Sequence, residues 1–300
     1  MIGYCGPIDK WNRMNWDQLV EYFTSKGEKL VYIDLDRCID EQGSFKTIIH
    51  KMTYMMRGHD MNADIQLKNL YNYIKAHPGI RFIDDLDSVA ITLDREELNS
   101  AITAIEWPES LKMNVPRAAM LLKSDPETIE ETIKYLRFPL LAKPKSACST
   151  SQSHNMRLVS SPVSLVGMQC PVLLQEYINH GGIVYKNYTI GDILEVGARP
   201  STRDIKEGEE IVLDFHSQKS SENNGLWDKP ADLDKIVYPI HDFQNISEIL
   251  KNNLKMQLIG FDILIDHNGG YWLVDLNYFP GYKNVENLWE KFYHFLNKDS

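Results

Sequence analysis

Asp262, Asp275 and Asn277 are the residues whose types and spacing most directly suggest chemistry. They lie in the stretch Gly260 to Asn277, where two apolar segments flank Asn268-Gly269, a dipeptide that favours tight hairpin turns. With that dipeptide as the turn, Asp262 falls opposite Asp275 and Asn277 falls opposite Gly260. Side chains alternate across a strand, so the three oxygen-bearing groups share one face. The other face then carries Phe261 with Leu276, Ile263 with Val274 and Ile265 with Trp272, an apolar surface suited to a core. Two carboxylates directly opposite each other, with Cβ atoms about 5 Å apart, repel one another. A hard divalent cation held by carboxylate and amide oxygens would offset that repulsion. The competing explanation is an acidic edge whose charges are screened by water.

A second set of candidates is basic. Lys10 follows the first expected strand and Lys51 closes the third, so both could face one crevice at the carboxyl ends of a parallel sheet. Each is otherwise an ordinary solvated lysine. Phe138 to Lys145 reads as a buried strand ending in Lys143 and Lys145, and it runs into the hydroxyl-rich loop Ser146 to Asn155. Such a loop can lie over phosphates with its N–H groups and hydroxyls, although it lacks the glycines of a Walker loop.

The elements that would position these groups follow from pattern. Ile2–Cys5, Leu30–Leu35, Thr47–Lys51 and Arg81–Asp84 read as strands. Asn15 with Gln18 suggests a capped helix carrying Trp16, Leu19, Val20 and Phe23, and Leu67, Leu70, Tyr71 and Ile74 mark another. Strands alternating with helices predict a parallel α/β lobe over residues 1–100. Val172–Ile178 is a strand leaving the next lobe. Ile183–Lys186 pairs with Ile193–Arg199 about Gly191-Asp192, and Glu210–Phe215 is a further strand. A helix through Ile246, Ile249, Leu250 and Leu254 leads into the hairpin, and a last helix carries Val285, Leu288, Trp289, Phe292 and Leu296.

Composition narrows the class. Three hundred residues with 43% hydrophobic content support a sizeable core, and a net charge of −10 argues against general nucleic-acid binding. Cys5, Cys38, Cys148 and Cys170 have no metal-binding spacing and read as free thiols of a reducing compartment. No signal-peptide pattern and no run of about 20 apolar residues is evident, so a cytoplasmic protein without a membrane partner is expected.

Taken in order, several segments carry a resemblance: Ile48-Ile49-His50-Lys51-Met52-Thr53, Leu93-Asp94-Arg95, Phe138-Pro139 through Lys143, and Ser153-His154-Asn155-Met156. They continue with Gln175 to His180, Tyr185-Lys186, Arg199-Pro200-Ser201, Gly260-Phe261-Asp262 and Val274 to Tyr282. Together they span nearly the whole chain, which resembles the inositol tetrakisphosphate 1-kinase family of the ATP-grasp superfamily, also called inositol 1,3,4-trisphosphate 5/6-kinases. The resemblance implies a mixed α/β and α+β molecule, an ATP-grasp fold behind an N-terminal parallel α/β lobe. The expected division is 1–100 for that lobe, 101–180 for a central subdomain and 181–300 for a C-terminal subdomain with the metal site.

It also implies residue roles and partners. Arg95 and Lys143 would contact ATP phosphates, and the backbone of Gln175, Glu176, Tyr177 and Ile178 would form the adenine hinge with Lys186 at its end. Ser201, Ser217 and Ser221 match nucleotide-contacting serines. Lys10, His154, Lys186 and Asn277 match inositol phosphate contacts, with Lys51, Lys145 and Arg199 as further basic candidates. Asp262, Asp275 and Asn277 match magnesium ligands, Asp275 being shared by two ions, and Asp275, Asn277 and Lys186 form the catalytic set. A monomer is expected. One departure is Cys148-Ser149-Thr150, where the family usually has His-Gly-Thr, together with one more residue before His154. An ATP-grasp carboxylate–amine ligase and an inactive nucleotide-binding regulator are the alternatives. The basic residues favour a polyphosphate acceptor over the first, and the intact metal trio speaks against the second.

Overall fold

The computed structural model describes residues 1–58, 61–146, 155–216, 226, 233 and 236–298. The first lobe runs β1 (Ile2–Cys5), α1 (Ile8–Asn12), α2 (Trp16–Ser25), β2 (Leu30–Tyr32), β3 (Thr47–His50), a 3₁₀ segment (Met52–Arg57), α3 (Met61–Ala76) and β4 (Arg81–Ile83). Its strands form a parallel sheet in the order β2-β1-β3-β4, as the alternating pattern predicts. Two local expectations differ. β2 stops at Tyr32 because Gln42 takes over the backbone of Asp34, accepting from its N–H at 2.8 Å and donating to its carbonyl at 2.7 Å. Asn15 sits in the left-handed region and makes no cap bond, while Gln18 instead accepts from the indole of Trp289 at 2.8 Å.

The chain continues through α4 (Leu86–Ala90), α5 (Arg95–Thr103), β5 (Met113–Asn114), β6 (Ala118–Leu121), α6 (Pro126–Ile133), β7 (Leu140–Pro144), β8 (Asn155–Val159) and β9 (Val172–Glu176). Asp94 caps α5 through the N–H of Glu96 at 2.8 Å, and Asp125 caps α6 through that of Thr128 at 3.0 Å. Then come β10 (Ile183–Ile190), β11 (Ile193–Pro200), β12 (Val212–His216), α7 (Ile240–Leu254), β13 (Ile259–Ile265), β14 (Tyr271–Tyr278) and α8 (Leu288–Asn297).

These strands make two five-stranded sheets, a middle one ordered β12-β8-β7-β9-β6 and a last one ordered β11-β10-β13-β14-β5. The chain therefore exchanges strands between them: β5 pairs with β14, and β12 returns to β8. One face of the last sheet is apolar, with Tyr185, Phe261, Ile263, Leu273 and Leu276 packed against Phe243, Ile246 and Leu250 of α7. Burying that many large side chains, at about 2 kcal/mol each, fixes the register of the whole sheet.

The first lobe is locked to the last sheet by buried polar contacts. The Tyr278 hydroxyl donates to the carbonyl of His50 at 3.2 Å and accepts from the N–H of Asp84 at 3.1 Å. The Asp84 carboxylate accepts from the N–H groups of Gln257 and Leu258 at 2.9 and 3.0 Å. Around them Trp11, Trp16, Phe279 and Phe292 form one aromatic cluster joining α1, α2, β14's exit and α8.

Candidate functional site

The hairpin of β13 and β14 pairs Asp262 with Asp275 and Gly260 with Asn277, the register expected from its sequence. Beyond Asp262 the register slips by one: Ile263 pairs with Leu273 and Ile265 with Tyr271. Val274 is thus an extra, bulged residue, and Leu273 replaces it on the core face. The cause lies in the turn. Asn268-Gly269 is not a two-residue loop, because Gly269 donates to the carbonyl of Asp266 and Asp266 pairs with Gly270. The Asp266 carboxylate gathers the N–H groups of Asn268 and Gly270 and the indole of Trp272, at 2.8, 2.9 and 2.7 Å. The bulge also turns the Val274 carbonyl toward β7, where it accepts from the buried Lys143 ammonium at 2.9 Å.

Register places a row of functional side chains on the face opposite α7. Gly197, Lys186, Asp262 and Asp275 lie side by side on β11, β10, β13 and β14. One step toward the first lobe the row is Tyr188, Gly260 and Asn277; one step toward the hinge it holds Val184 and Arg199. Lys186 and Asp262 form a close ion pair. Asn277 donates its amide to Asp275 at 3.0 Å, which turns the amide oxygen away from that bond. A Cβ on Gly260 would come within 2.9 Å of Pro280, so the space beside Asn277 is filled by that ring.

The electrostatics follow from burial and proximity. Burial pulls Lys143 down to about 8, against the attraction of Asp275. Burial raises the Asp262 carboxyl despite Lys186, and Lys186 is raised because the Asp262 and Asp275 carboxylates outweigh its own burial. Two carboxylates and an amide oxygen on one face fit a hard cation, and Mg²⁺ typically takes only one or two protein carboxylates. Among the described residues no group of three or more His, Cys, Asp or Glu side chains gathers, here or elsewhere, so the expected ligand set consists of two carboxylates and one amide oxygen.

The other expected residues fall around this row. Lys51 donates to the carbonyl of Phe279 and lies 4.4 Å from that ring's centre; burial and the neighbouring Lys10 charge lower it to about 7. Lys10 contacts Asp9 at 3.5 Å and stands over the Tyr54 ring. Lys10 and Lys51 thus follow β1 and β3 at the carboxyl end of the first sheet, close enough for the Lys10 charge to act on Lys51. Arg95 is buried and donates to the carbonyls of Pro144 and Ser146, at 2.5 and 2.8 Å, holding the strand that leads into the Ser146 to Asn155 loop. Lys145 pairs with Glu96 at 3.1 Å and Asp94 at 3.5 Å. His154, Ser217 and Ser221 lie outside the described residues.

At the hinge, Gln175 is buried on β9 between β6 and β7. The N–H groups of Glu176 and Tyr177 are taken by the carbonyls of Arg117 and Pro139, at 2.9 and 3.0 Å. The N–H of Ile178 makes no hydrogen bond among the described residues. Ser201 donates its N–H to Gly182 at 2.7 Å, beside the hinge. Sequence reasoning passed over Val274, Asp84, Tyr278 and Asp204. Their partners lie on elements far along the chain, and only a break in the hairpin's alternation could have signalled the bulge.

Comparison with known proteins places the chain in a family. Residues 108–298 match the model of the inositol 1,3,4-trisphosphate 5/6-kinase ATP-grasp domain, and residues 1–89 match the pre-ATP-grasp domain of the same kinases. An inositol-tetrakisphosphate 1-kinase of Danio rerio is 29% identical over 302 residues, covering 96% of this chain and 76% of its own length. An inositol-tetrakisphosphate 1-kinase 1 of Arabidopsis thaliana is 27% identical, over 95% and 91% of the two chains. In fold, the chain is similar to the ATP-grasp ligase PsnB with Mg and ADP (TM-score 0.59, 14% identity, 99% and 98% coverage). It is also similar to the macrocyclase MdnC of Microcystis aeruginosa (TM-score 0.58, 14% identity, 99% coverage of each). The chain belongs to the inositol 1,3,4-trisphosphate 5/6-kinase family and carries its ATP-grasp fold.

Proposed function

We propose that this chain transfers the γ-phosphate of ATP to a hydroxyl of an inositol tris- or tetrakisphosphate, using magnesium. The carrying observation is the order of groups along one sheet face. From the hinge toward the first lobe come Arg199, then Lys186 with Asp262 and Asp275, then Asn277, then Lys51 and Lys10. That is the order adenine, phosphates, metal and acceptor must take for in-line transfer.

Ile178 offers its N–H to the base. Lys143, Arg95 and the serines at 201, 217 and 221 serve the nucleotide. Asp262, Asp275 and Asn277 would hold Mg²⁺, with Asp275 shared if two ions bind; bound Mg²⁺ neutralises charge on the β- and γ-phosphate oxygens. Lys186 moves between two partners: it neutralises Asp262 here and can turn to a phosphate when a cation takes that carboxylate. Lys10, Lys51 and His154 supply charge-assisted donors for the acceptor's phosphates, whereas Arg199, expected with them, lies at the hinge end of the row on the nucleotide side. The row contains no general base, and a loose transition state lessens the need for one.

The enzyme would act as a cytoplasmic monomer. Among the described residues no helix is long and apolar enough to cross a membrane. The test is an ATP/Mg²⁺ assay against a panel of inositol tris- and tetrakisphosphates, with Asp275→Asn as control. Turnover should fall at least about 100-fold in that variant, with an unchanged or raised melting temperature because a like-charge pair is removed. Near-normal turnover in Asp275→Asn would sink the metal assignment, and ATP consumption that required an amine acceptor would replace the kinase by a ligase.

A further inference from the structure

The hinge is held from behind by the segment Thr202 to Ile205. The Tyr177 hydroxyl lies 2.6 Å from both the Thr202 hydroxyl and the Arg203 carbonyl. The Asn179 amide makes a two-way pair with Ile205, donating to its carbonyl and accepting from its N–H, both at 2.9 Å. Asp204 is the centre of this splint. Its Oδ1 accepts from the N–H groups of His180 and Gly181 at 2.8 and 2.9 Å, and its Oδ2 meets Nε2 of His267 at 2.6 Å.

His180 carries the contact onward. Its Nδ1 lies 2.6 Å from the carbonyl of Ile178, and its buried Nε2 has no hydrogen-bond partner among the described residues. That pattern is a neutral imidazole with its hydrogen on Nδ1, in keeping with the lowering that burial imposes. The Asp204 carboxyl is itself held below the usual range: burial pushes it up, but the Gly181 N–H, the His267 ring and the His180 N–H outweigh this. His267 comes from the β13–β14 turn, which Asp266 braces by its three hydrogen bonds. A continuous set of contacts thus runs from the turn of the metal-bearing hairpin, through Asp204, to the peptide of Ile178.

We propose that Asp204 and His267 are positioning residues that hold the adenine-reading hinge, tying it to the turn of the metal-bearing hairpin. The inference rests on the nucleotide-binding reading above. Neither residue touches the nucleotide; both act through the His180 and Gly181 peptides. The signature is therefore a loss of nucleotide affinity with chemistry and acceptor binding spared.

The experiment measures ADP affinity by titration calorimetry, together with kcat and both KM values, for Asp204→Ala, Asp204→Asn and His267→Ala. ADP affinity and KM for ATP should weaken about tenfold in Asp204→Ala and about threefold in His267→Ala. In both, kcat at saturating ATP and KM for the acceptor should stay within about twofold. Asp204→Asn should recover part of the loss, since its amide oxygen still accepts from the two N–H groups. His267 is exposed, so its variant folds whatever becomes of Asp204→Ala. Unchanged ADP affinity in His267→Ala and Asp204→Asn overturns the inference, as does a fall in kcat with both KM values unmoved. Failure of the unmodified protein to bind ADP overturns the nucleotide reading itself, and the inference with it.

Discussion

The Lys143 ammonium donates to the carbonyl of Val274, the one bulged residue of the hairpin. In a regular ladder that carbonyl would face a neighbouring strand; the bulge frees it to meet a side chain from the middle sheet. Lys143→Met keeps the buried stem and removes the charge. The exchange relieves the cost of burying an ammonium but leaves the Val274 carbonyl without its donor, so the two changes partly offset each other. The melting temperature should therefore move by only a few degrees, while kcat/KM for ATP falls about 100-fold, the loss typical of one preorganised donor. Activity within about tenfold of the parent would remove Lys143 from the phosphate side.

Lys51 sits near neutrality at about 7 because it is buried and Lys10 is close. Only its cationic form attracts an anionic acceptor. Acceptor kcat/KM should therefore fall as pH rises through about 7, and the ATP term should not follow it. Lys10→Gln removes the neighbouring charge, so the same midpoint should move to higher pH. A profile whose midpoint stays put in Lys10→Gln would show that another group governs acceptor binding.

Gly260 has no room for a methyl group. Its Cβ would stand 2.9 Å from the Pro280 Cγ, 3.0 Å from the Pro280 Cβ and 3.4 Å from the Tyr188 ring. A proline ring gives way poorly, so Gly260→Ala should cost about 1–3 kcal/mol in urea unfolding. It should also lower turnover by displacing Asn277 on the facing strand. A variant of parental stability would mean that the Pro280 segment moves freely.

Burial shifts His50 and Asp84 in opposite directions. Burial lowers His50 to about 4, and it raises Asp84 to about 6 against two backbone N–H bonds. Between these values the native state holds a proton on Asp84 and none on His50; the unfolded chain does the reverse. The His50 contribution is present above about 6.5 and lost as pH falls toward 4, whereas that of Asp84 weakens as pH rises from about 3.8 through 6. Each amounts to about 3 kcal/mol, so the two nearly cancel. In His50→Gln the cancellation ends: acidification from pH 7 to 4.5 should cost that variant about 3 kcal/mol less than the parent in urea melts. Parallel pH curves for parent and variant would refute the buried neutral histidine.

What was legible in the sequence was whatever a short stretch determines by itself. The facing of Asp262 and Asp275 followed from alternation on two neighbouring strands, and Asn277 followed with them. The bulge at Val274 was not legible, because it depends on how the Asp266 carboxylate folds the turn. Lys186 was marked by family likeness, but its pairing with Asp262 needs β10 to lie beside β13, which no local pattern states. Asp84, Tyr278 and Asp204 act on partners far along the chain, so their types alone gave no hint. The Asn15 cap failed for the converse reason: Gln18 was claimed by Trp289 of the last helix.

The buried lock between the first lobe and the last sheet has a kinetic consequence. Lys10, Lys51, Lys186, Arg199 and Asn277 all belong to the two bodies that Tyr278 and Asp84 join. Their mutual arrangement is set by that lock and does not wait for a nucleotide. The acceptor can therefore occupy its place first, and substrate addition should be random rather than compulsory with ATP leading. Isotope trapping of a preformed acceptor complex would register this directly, and an acceptor that is never trapped would argue for ATP-first order.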